Sequence, residues 1–432
     1  MAPQRLTPGE AAALVRPRDS LGIPLGPGQP SAFLHALGDR DDWLELTVFG
    51  ALLIDLFAIF THPGVRYLSG FYGPAERFLV DSGARVEFIP ADFRRFTRIA
   101  EQLAPRVVAT AAAAPDRDGF LSLSLHSGAT IEAMNQAAAD PNRLLVVETN
   151  AKFPRTLGLL PDYPHRIHID DIDVLVESDR DPFVLPEVEP GEVDRAIARH
   201  VQTLIPNGAT LQTGIGGIPS TIVGLLANGD GGDYGVHSEM FTTGLMQLHR
   251  AGKVSNAHKG QFDGVSITTF AAGTLELYDW LNDNHEVAFL PVDVVNAPEV
   301  IARNRTMITI NGALSVDLNG QVVADTIGGR QFSGIGGHED FIAQSGLSLE
   351  DRSLVCMPST SVVDGVDISR IVPTLPEGWI VTTPRHQLDL VVTEHGVAHL
   401  RGRTVRERAR ALAEIADLAF RDELRERAEL LG

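Results

Sequence analysis

The fold class is decided by RVVATAAAA (Arg106–Ala114), followed along the chain by TIEAMNQAAAD (Thr130–Asp140) and RLLVVETN (Arg143–Asn150). The first and third stretches are short apolar runs, typical of strands that are buried on both faces, whereas the alanine-rich second stretch is typical of a helix. Strand, helix and strand in this order indicate a parallel sheet covered by helices. The sequence therefore predicts an α/β fold with mostly parallel sheets.

The chain is long enough for two domains. At 432 residues it exceeds the size at which a single hydrophobic core usually stops growing. The stretch Asp179–Val201 is rich in proline and acidic residues before it becomes a helix that opens near Pro190 to Glu192, which is typical of a domain boundary. We predict one domain over residues 1–185 and a second over 186–432.

Composition excludes several classes of protein. The formal net charge of −20 repels polyanions, so no nucleic acid partner is expected. The single cysteine, Cys356, has no partner for a disulfide, which suits a reducing cytosol, and its apolar surroundings predict a buried thiol. The N-terminus lacks the apolar core of a signal peptide, and the longest apolar run, Leu46–Phe60, is interrupted by Asp55 and is shorter than the ~20 residues of a membrane span. We expect a cytoplasmic protein without a membrane span.

Metal binding is not expected either. The 14 histidines are dispersed, and no His-Glu-x-x-His pattern occurs.

Two glycine clusters could bring backbone N–H groups close to a ligand. TGIGGIP (Thr213–Pro219) lies between a predicted strand and a helix expected to start near Pro219. A dinucleotide-binding fingerprint is disfavoured because Pro219 stands in place of its third glycine, and a Walker phosphate loop is disfavoured because no Gly-Lys-Ser/Thr follows. The alternative is a tight structural turn that binds no ligand. The second cluster, TIGGRQFSGIGGHEDF (Thr326–Phe341), fits a ligand loop and a surface loop equally well.

A single carboxylate, Glu239, stands in YGVHSEMFTTGL (Tyr234–Leu245). A solvated loop carboxylate is the usual fate of such a residue. A serine nucleophile at Ser238 is disfavoured, because Met240 stands where a Gly-x-Ser-x-Gly elbow has glycine, and because adjacent His237 and Ser238 side chains point to opposite faces of an extended strand.

Together the motifs resemble the acetyl-CoA hydrolase/transferase family, the family I CoA-transferases that include 4-hydroxybutyrate CoA-transferase. The resemblance runs nearly end to end and is carried by the motifs GPGQPSAFLHAL (26–37), DRDGFLSLSLHSGAT (116–130), NAKFPRTLG (150–158), TGIGGIPSTI (213–222), YGVHSEMFTTGL (234–245), ARNRTMITINGALSVDLNGQV (302–322), SGIGGHEDFI (333–342) and VTTPRHQLDLVVTEHGVAHLRGRTVRERA (381–409).

The resemblance implies two similar open α/β domains of the CoA-transferase type and a homodimer. It also implies that coenzyme A and acyl-CoA are substrates and that no cofactor is tightly bound. It implies that Glu239 is the catalytic nucleophile and that Gly336 and Gly337 form the oxyanion-stabilising substrate loop. It also implies that one five-residue segment contacts coenzyme A: Gly214, Ile215, Gly216, Gly217 and Ile218.

The implied reaction moves CoA from a short acyl-CoA, such as acetyl-CoA, to a small carboxylic acid such as 4-hydroxybutyrate or butyrate. Glutamate carboxylates are ionised at neutral pH, so Glu239 needs no general base to attack a thioester. Two alternatives stay open: an acyl-CoA hydrolase that uses the same glutamate, and a CoA-binding protein without turnover.

The chain departs from its relatives at three places, one of which is the C-terminal stretch IADLAFRDEL (415–424), where the family commonly has His-Pro-Asp-Phe-Arg. Many relatives have glutamine where this chain has His338, and a Gly-Gly-Lys-Ser turn where it has EDRS (Glu350–Ser353). We hypothesise that Arg352 replaces the lysine as a donor to coenzyme A.

Overall fold

The computed structural model describes residues 2–187, 189–344 and 348–432. Contacts group the chain into two units, Met1–Pro186 with Ile267–Ala297 and Glu187–Ser266 with Pro298–Gly432. The first unit thus includes a segment of about 30 residues that the sequence analysis assigned to the second domain.

The first unit is built on an eight-stranded sheet in which every neighbouring pair is parallel. Across the sheet, its strands are Gln4–Leu6, Val174–Ser178, Leu144–Asn150, Val107–Ala113, Arg18–Leu25, Glu45–Ala51, Val65–Ser69 and Val86–Phe88. Its α-helices are Pro8–Ala12, Ser31–Gly38, Pro74–Asp81, Phe96–Leu103, Thr130–Ala139, Leu275–Leu281 and Val292–Val295. The 3-10 helices are Gly26–Gly28, Ala58–Thr61, Phe93–Arg95 and Ile169–Asp171.

The second unit has a six-stranded sheet that is parallel except for its last pair. Across the sheet, its strands are Gly235–Val236, Thr210–Thr213, Met307–Gly312, Arg352–Cys356, Leu390–Thr393 and Gly396–His399. Its helices are Glu192–Gln202, Gly217–Asn228, Thr243–Arg250, Pro298–Ile301, His338–Gln344, Val405–Glu414 and Leu418–Glu429.

Short strands complete the chain at Phe120–Ser122, Arg166–His168, Met240–Phe241, Ser266–Thr268, Phe270–Ala271, Val287–Phe289, Ser315–Asp317, Val322–Val323, Thr326–Ile327, Arg330–Gln331, Thr360–Val363, Val366–Ser369 and Ile371–Val372.

The prediction of α/β architecture is confirmed. All seven residues of strand Val107–Ala113 are buried, as expected for a central parallel strand, and the helix Thr130–Ala139 and strand Leu144–Asn150 follow it. The helix predicted to open near Glu192 begins there, with Gly191 as N-cap. Cys356 is buried, as predicted, and burial raises the pKa of its thiol to about 12. Nowhere in the described ranges does a helix combine the length and the hydropathy needed to cross a bilayer.

The helix after the glycine loop begins at Gly217, which places Pro219 within its first turn and close to the predicted start. The C-terminal segment forms two helices, Val405–Glu414 and Leu418–Glu429, and the ion pairs Arg410–Glu429 (2.6 Å) and Arg425–Glu414 (2.7 Å) join one helix to the other.

Candidate active site

Glu239 lies at the carboxyl edge of the second sheet. Strand Gly235–Val236 runs parallel to Thr210–Thr213, and the His237 N–H donates to the Leu211 carbonyl at 3.1 Å. The half-buried Glu239 follows directly, before strand Met240–Phe241. In open α/β sheets, ligands bind in the crevice outside the carboxyl ends of the strands. The register therefore places Glu239 at the edge where chemistry is expected.

Ser238 ties the segment around Glu239 to the end of the neighbouring strand. Its buried Oγ lies 3.0 Å from the Thr213 carbonyl oxygen, 2.9 Å from the Met240 carbonyl oxygen and 3.3 Å from the Thr213 nitrogen, whose N–H it accepts. A hydroxyl donates one proton at a time, so it bonds one of the two carbonyls at any moment. The residues on both sides of Glu239 are thereby fixed to the strand that leads into the glycine loop.

The glycine loop turns from that strand into helix Gly217–Asn228. Gly216, the N-cap residue, has φ +117°, a backbone conformation that residues with a side chain rarely adopt. At Gly217, an added Cβ would stand 2.7 Å from Asp194 Oδ2. Gly214 has open space around it, and Ile215 is 55% exposed. The helix has neither a side-chain N-cap nor an acidic residue in its first turn. Its N–H groups and partial positive charge suit an anionic group.

The second glycine cluster is connected to the same region through aromatic packing. Gly336 has φ +56°, and buried Gly337 precedes helix His338–Gln344, in which the Phe341 N–H donates to the Gly337 carbonyl at 3.1 Å. The Phe341 ring meets the His237 ring edge-on, with centroids 6.3 Å apart. This ring contact anchors the helix and the loop before it to His237, two residues before Glu239.

His338, a departure from the relatives, is a neutral group in this loop. The hydroxyl of Thr383 donates to the Glu339 carboxylate, so it accepts from His338 Nε2 at 2.9 Å. Burial lowers the pKa of His338 to about 4, although Asp325 acts in the opposite direction. At neutral pH His338 therefore contributes a hydrogen bond and no charge.

Lys259 packs against strand Gly235–Val236, which precedes Glu239. Its side chain is fully buried, and its Cγ fills the space at Gly235, where a Cβ would stand 2.4 Å away. Its Nζ donates to the Val265 carbonyl at 2.7 Å. Burial lowers the pKa of Lys259 to about 7, against a smaller opposing effect of Asp263.

Arg352 does not join this constellation. It is in register with Ile308, which is in register with Leu211, two residues before the end of strand Thr210–Thr213. Arg352 Nη1 donates to the carbonyls of Leu349 (2.6 Å) and Asp351 (2.7 Å), so the guanidinium is used at the amino end of its own strand.

The turn before Arg352 is held by bonds within it and by bonds to neighbouring segments. The Asp351 carboxylate accepts the N–H groups of Met307 (2.9 Å) and Ser348 (3.1 Å). Arg401 Nη2 donates to the Asp351 carbonyl at 2.5 Å and pairs with Asp389 at 2.6 Å. These bonds use the polar groups of Asp351 within the protein.

The roles of Glu239 and of both glycine loops stay predictions, and no sequence signal pointed to Ser238 as a structural link. Sequence reasoning treated that hydroxyl only as a possible nucleophile. Asp194 was also missed, although its spacing from Gly191 matches the capping pattern that it forms, with Oδ2 2.9 Å from the Gly191 nitrogen. No group of three metal-ligating side chains is found among residues 2–187, 189–344 and 348–432.

Comparison with known proteins identifies the family of this chain. Residues 273–428 match the acetyl-CoA hydrolase/transferase C-terminal domain. The chain is 37% identical over 408 residues to the 4-hydroxybutyrate coenzyme A transferase of Clostridium kluyveri, covering 91% of this chain and 92% of that protein. It is 36% identical over 432 residues to the succinyl-CoA:cyclohexane-1-carboxylate CoA transferase of Geobacter metallireducens, covering 99% and 95%. The crystal structure of 4-hydroxybutyrate CoA-transferase from Porphyromonas gingivalis matches with a TM-score of 0.79 and 30% identity, covering 99% and 97%.

The fold and these relatives define an enzyme of the CoA-transferase class. The chain belongs to the acetyl-CoA hydrolase/transferase family, which confirms the resemblance carried by its motifs.

Proposed function

We propose that the protein moves CoA from a short acyl-CoA, with acetyl-CoA as the first candidate, to a small carboxylic acid such as 4-hydroxybutyrate or butyrate. The observation that carries this proposal is the position of Glu239 at the carboxyl edge of its sheet, tied through Ser238 to the strand that leads into the glycine loop. Relatives named for 4-hydroxybutyrate and butyrate support the choice of acids.

In the first half-reaction, a carboxylate oxygen of Glu239 attacks the thioester carbonyl and the C–S bond breaks. The products are an acyl-glutamyl anhydride and CoA thiolate. The thiolate then attacks the glutamyl carbonyl, which leaves a glutamyl-CoA thioester and releases the first acid as its carboxylate. The acceptor carboxylate reverses these steps, so no proton has to be removed and no ATP is consumed.

Each addition passes through a tetrahedral oxyanion. In this proposal the backbone of Gly336 and Gly337 donates to it, and the segment from Gly214 to Ile218 holds the coenzyme. One such donor is typically worth ~10²- to 10³-fold in rate. Arg352 is left out of the site, because its guanidinium bonds carbonyls at the opposite end of its strand.

The test is to incubate the enzyme with acetyl-CoA and a panel of short carboxylates, following acyl-CoA species by mass and free thiol in the same tube. A new acyl-CoA without matching thiol release is expected. Thiol release without a new acyl-CoA would instead establish the hydrolase, in which water reaches the intermediate.

The variant Glu239→Gln is expected to abolish turnover while acyl-CoA binding remains, because the amide is a poor nucleophile of nearly the same shape. Glu299→Gln, an exposed glutamate in the same unit, is the matched control and should keep full activity. Turnover that survives in Glu239→Gln would contradict the assignment of the nucleophile. The homodimer implied by the resemblance is checked by light scattering on the same preparations.

A further inference from the structure

A pocket of about 270 Å³ lies in the first unit, against the ribbon formed by strands Phe120–Ser122 and Arg166–His168. The antiparallel register pairs Phe120 with His168 and Ser122 with Arg166, so these four side chains share one face. Leu121 and Ile167 are buried on the other face. The ribbon therefore presents an arginine and an aromatic ring side by side.

Arg166 is a preorganised cation. Its guanidinium carbon lies 3.9 Å from the centroid of the Phe120 ring, which fixes the plane of the group while leaving its N–H edges available. Across the described part of the chain, these N–H groups have no carboxylate or carbonyl partner. A fixed guanidinium that lacks an internal partner can pair with an external anion.

Arg155, the other arginine of the pocket, is paired with two aspartates. Arg155 bonds Asp116 through Nη1 (2.8 Å) and Asp283 through Nε (3.0 Å). The Asp116 carboxylate also accepts the N–H groups of Asp118 and Phe120, each at 2.9 Å. Among the described residues, Arg166 is thus the arginine of the pocket without a carboxylate partner, in a chain whose net charge of −20 otherwise disfavours anions.

Part of the wall is apolar, although the exposed His285 and the polar Ser122 and Thr156 also line the pocket. Leu157, Leu159 and Leu160 line the pocket, and Leu160 is 61% exposed. Small-molecule pockets have volumes upwards of ~300 Å³, so this pocket has room for a short molecule only. Such a ligand would have one anionic end for the guanidinium and a short apolar tail for the leucines.

We propose that this pocket binds a small monocarboxylate, with its carboxylate paired to Arg166 and its apolar tail against the leucines. Guanidinium and carboxylate match in a planar, two-bond geometry, which makes arginine the suitable donor for this class of ligand. The assignment rests on the first unit alone and is independent of the reaction proposed for Glu239.

The test is a ¹⁹F NMR titration of the full-length enzyme with 4,4,4-trifluorobutyrate. Arg166→Gln is expected to weaken binding ~10-fold or more, because a charge-assisted hydrogen-bond pair is lost. The neutral probe 4,4,4-trifluorobutyramide should bind the wild type more weakly by a similar factor. Arg98→Gln removes the same charge at a largely exposed arginine paired with Glu101, and it should leave binding unchanged.

A second variant keeps the Arg166 charge and removes the aromatic ring on which it stacks. Phe120→Leu is expected to weaken binding several-fold, because Arg166 loses the ring that orients it. Circular dichroism shows whether each variant is folded.

Equal affinity of wild type and Arg166→Gln for the acid, or equal affinity of the wild type for acid and amide, would overturn the proposal. The same titration in Glu239→Gln separates the two sites, and unchanged binding is expected there. Binding lost in Glu239→Gln and kept in Arg166→Gln would place the acid at Glu239, which would overturn this pocket and leave the proposed reaction standing.

Discussion

Replacing Ser238 with alanine is the sharpest structural perturbation of the candidate site, because it removes the link between the Glu239 segment and the end of strand Thr210–Thr213. The hydroxyl accepts one hydrogen bond, from the Thr213 N–H, and donates one, to the carbonyl of Thr213 or Met240. The side chain is fully buried, so water does not replace these bonds.

The expected loss of stability follows from those two bonds. Each buried hydrogen bond contributes about 0.5–1.5 kcal/mol, so the free energy of unfolding should fall by ~1–3 kcal/mol. The expected loss of activity is larger. A displacement of ~1 Å of a catalytic group can cost ~10²-fold in rate, and Ser238 holds the residues on both sides of Glu239. We therefore expect kcat to fall ~10- to 100-fold, with a smaller change in KM for acyl-CoA.

The assay combines urea unfolding with steady-state transfer of CoA from acetyl-CoA to butyrate, at a temperature where every variant is folded. Ser353→Ala is the matched control, because Ser353 is equally buried in the same sheet but its Oγ has no partner within the described residues. It should keep both stability and kcat. A Ser238→Ala enzyme that loses stability but keeps kcat would refute the positioning role, as would an equal loss of kcat in Ser353→Ala.

Three further predictions address the glycine loop, the EDRS turn and the buried lysine. Gly217→Ala places a Cβ 2.7 Å from Asp194 Oδ2, so it should lower stability and raise KM for acyl-CoA several-fold, whereas Gly224→Ala, which has open space in the same helix, should be neutral or stabilising by up to ~1 kcal/mol in urea unfolding. Arg352→Ala should leave CoA affinity within ~2-fold in calorimetry and lower the melting temperature, and a ~10-fold loss of affinity would restore Arg352 to the site. The pKa of Lys259 is about 7 in the folded protein, compared with an ordinary value of 10.5, which we take for the unfolded chain. Between these pH values the unfolded chain therefore binds more protons than the folded protein. Wild-type stability relative to Lys259→Met should then rise with pH across that window by up to ~1.4 kcal/mol per pH unit, and parallel pH curves for the two proteins would contradict this.

Local sequence was sufficient for the class of fold. Strand Val107–Ala113 could be predicted because buried parallel strands are continuous apolar runs, and helix Glu192–Gln202 because proline and glycine mark its start. The ordered motifs identified the family, and the roles predicted for Glu239 and the glycines of the loop come from that resemblance.

Tertiary structure alone decided which of these residues meet. Arg352 was a reasonable candidate until the register of its strand set it at the amino end, away from the loop that follows Thr213. Ser238 gained its role from a strand 25 residues earlier, and Arg166 gained its aromatic platform from a strand that pairs with its own. Local periodicity determines which face of an element is buried, whereas pairing register and the partners of a buried polar group arise from contacts between distant segments, which no single stretch of sequence specifies.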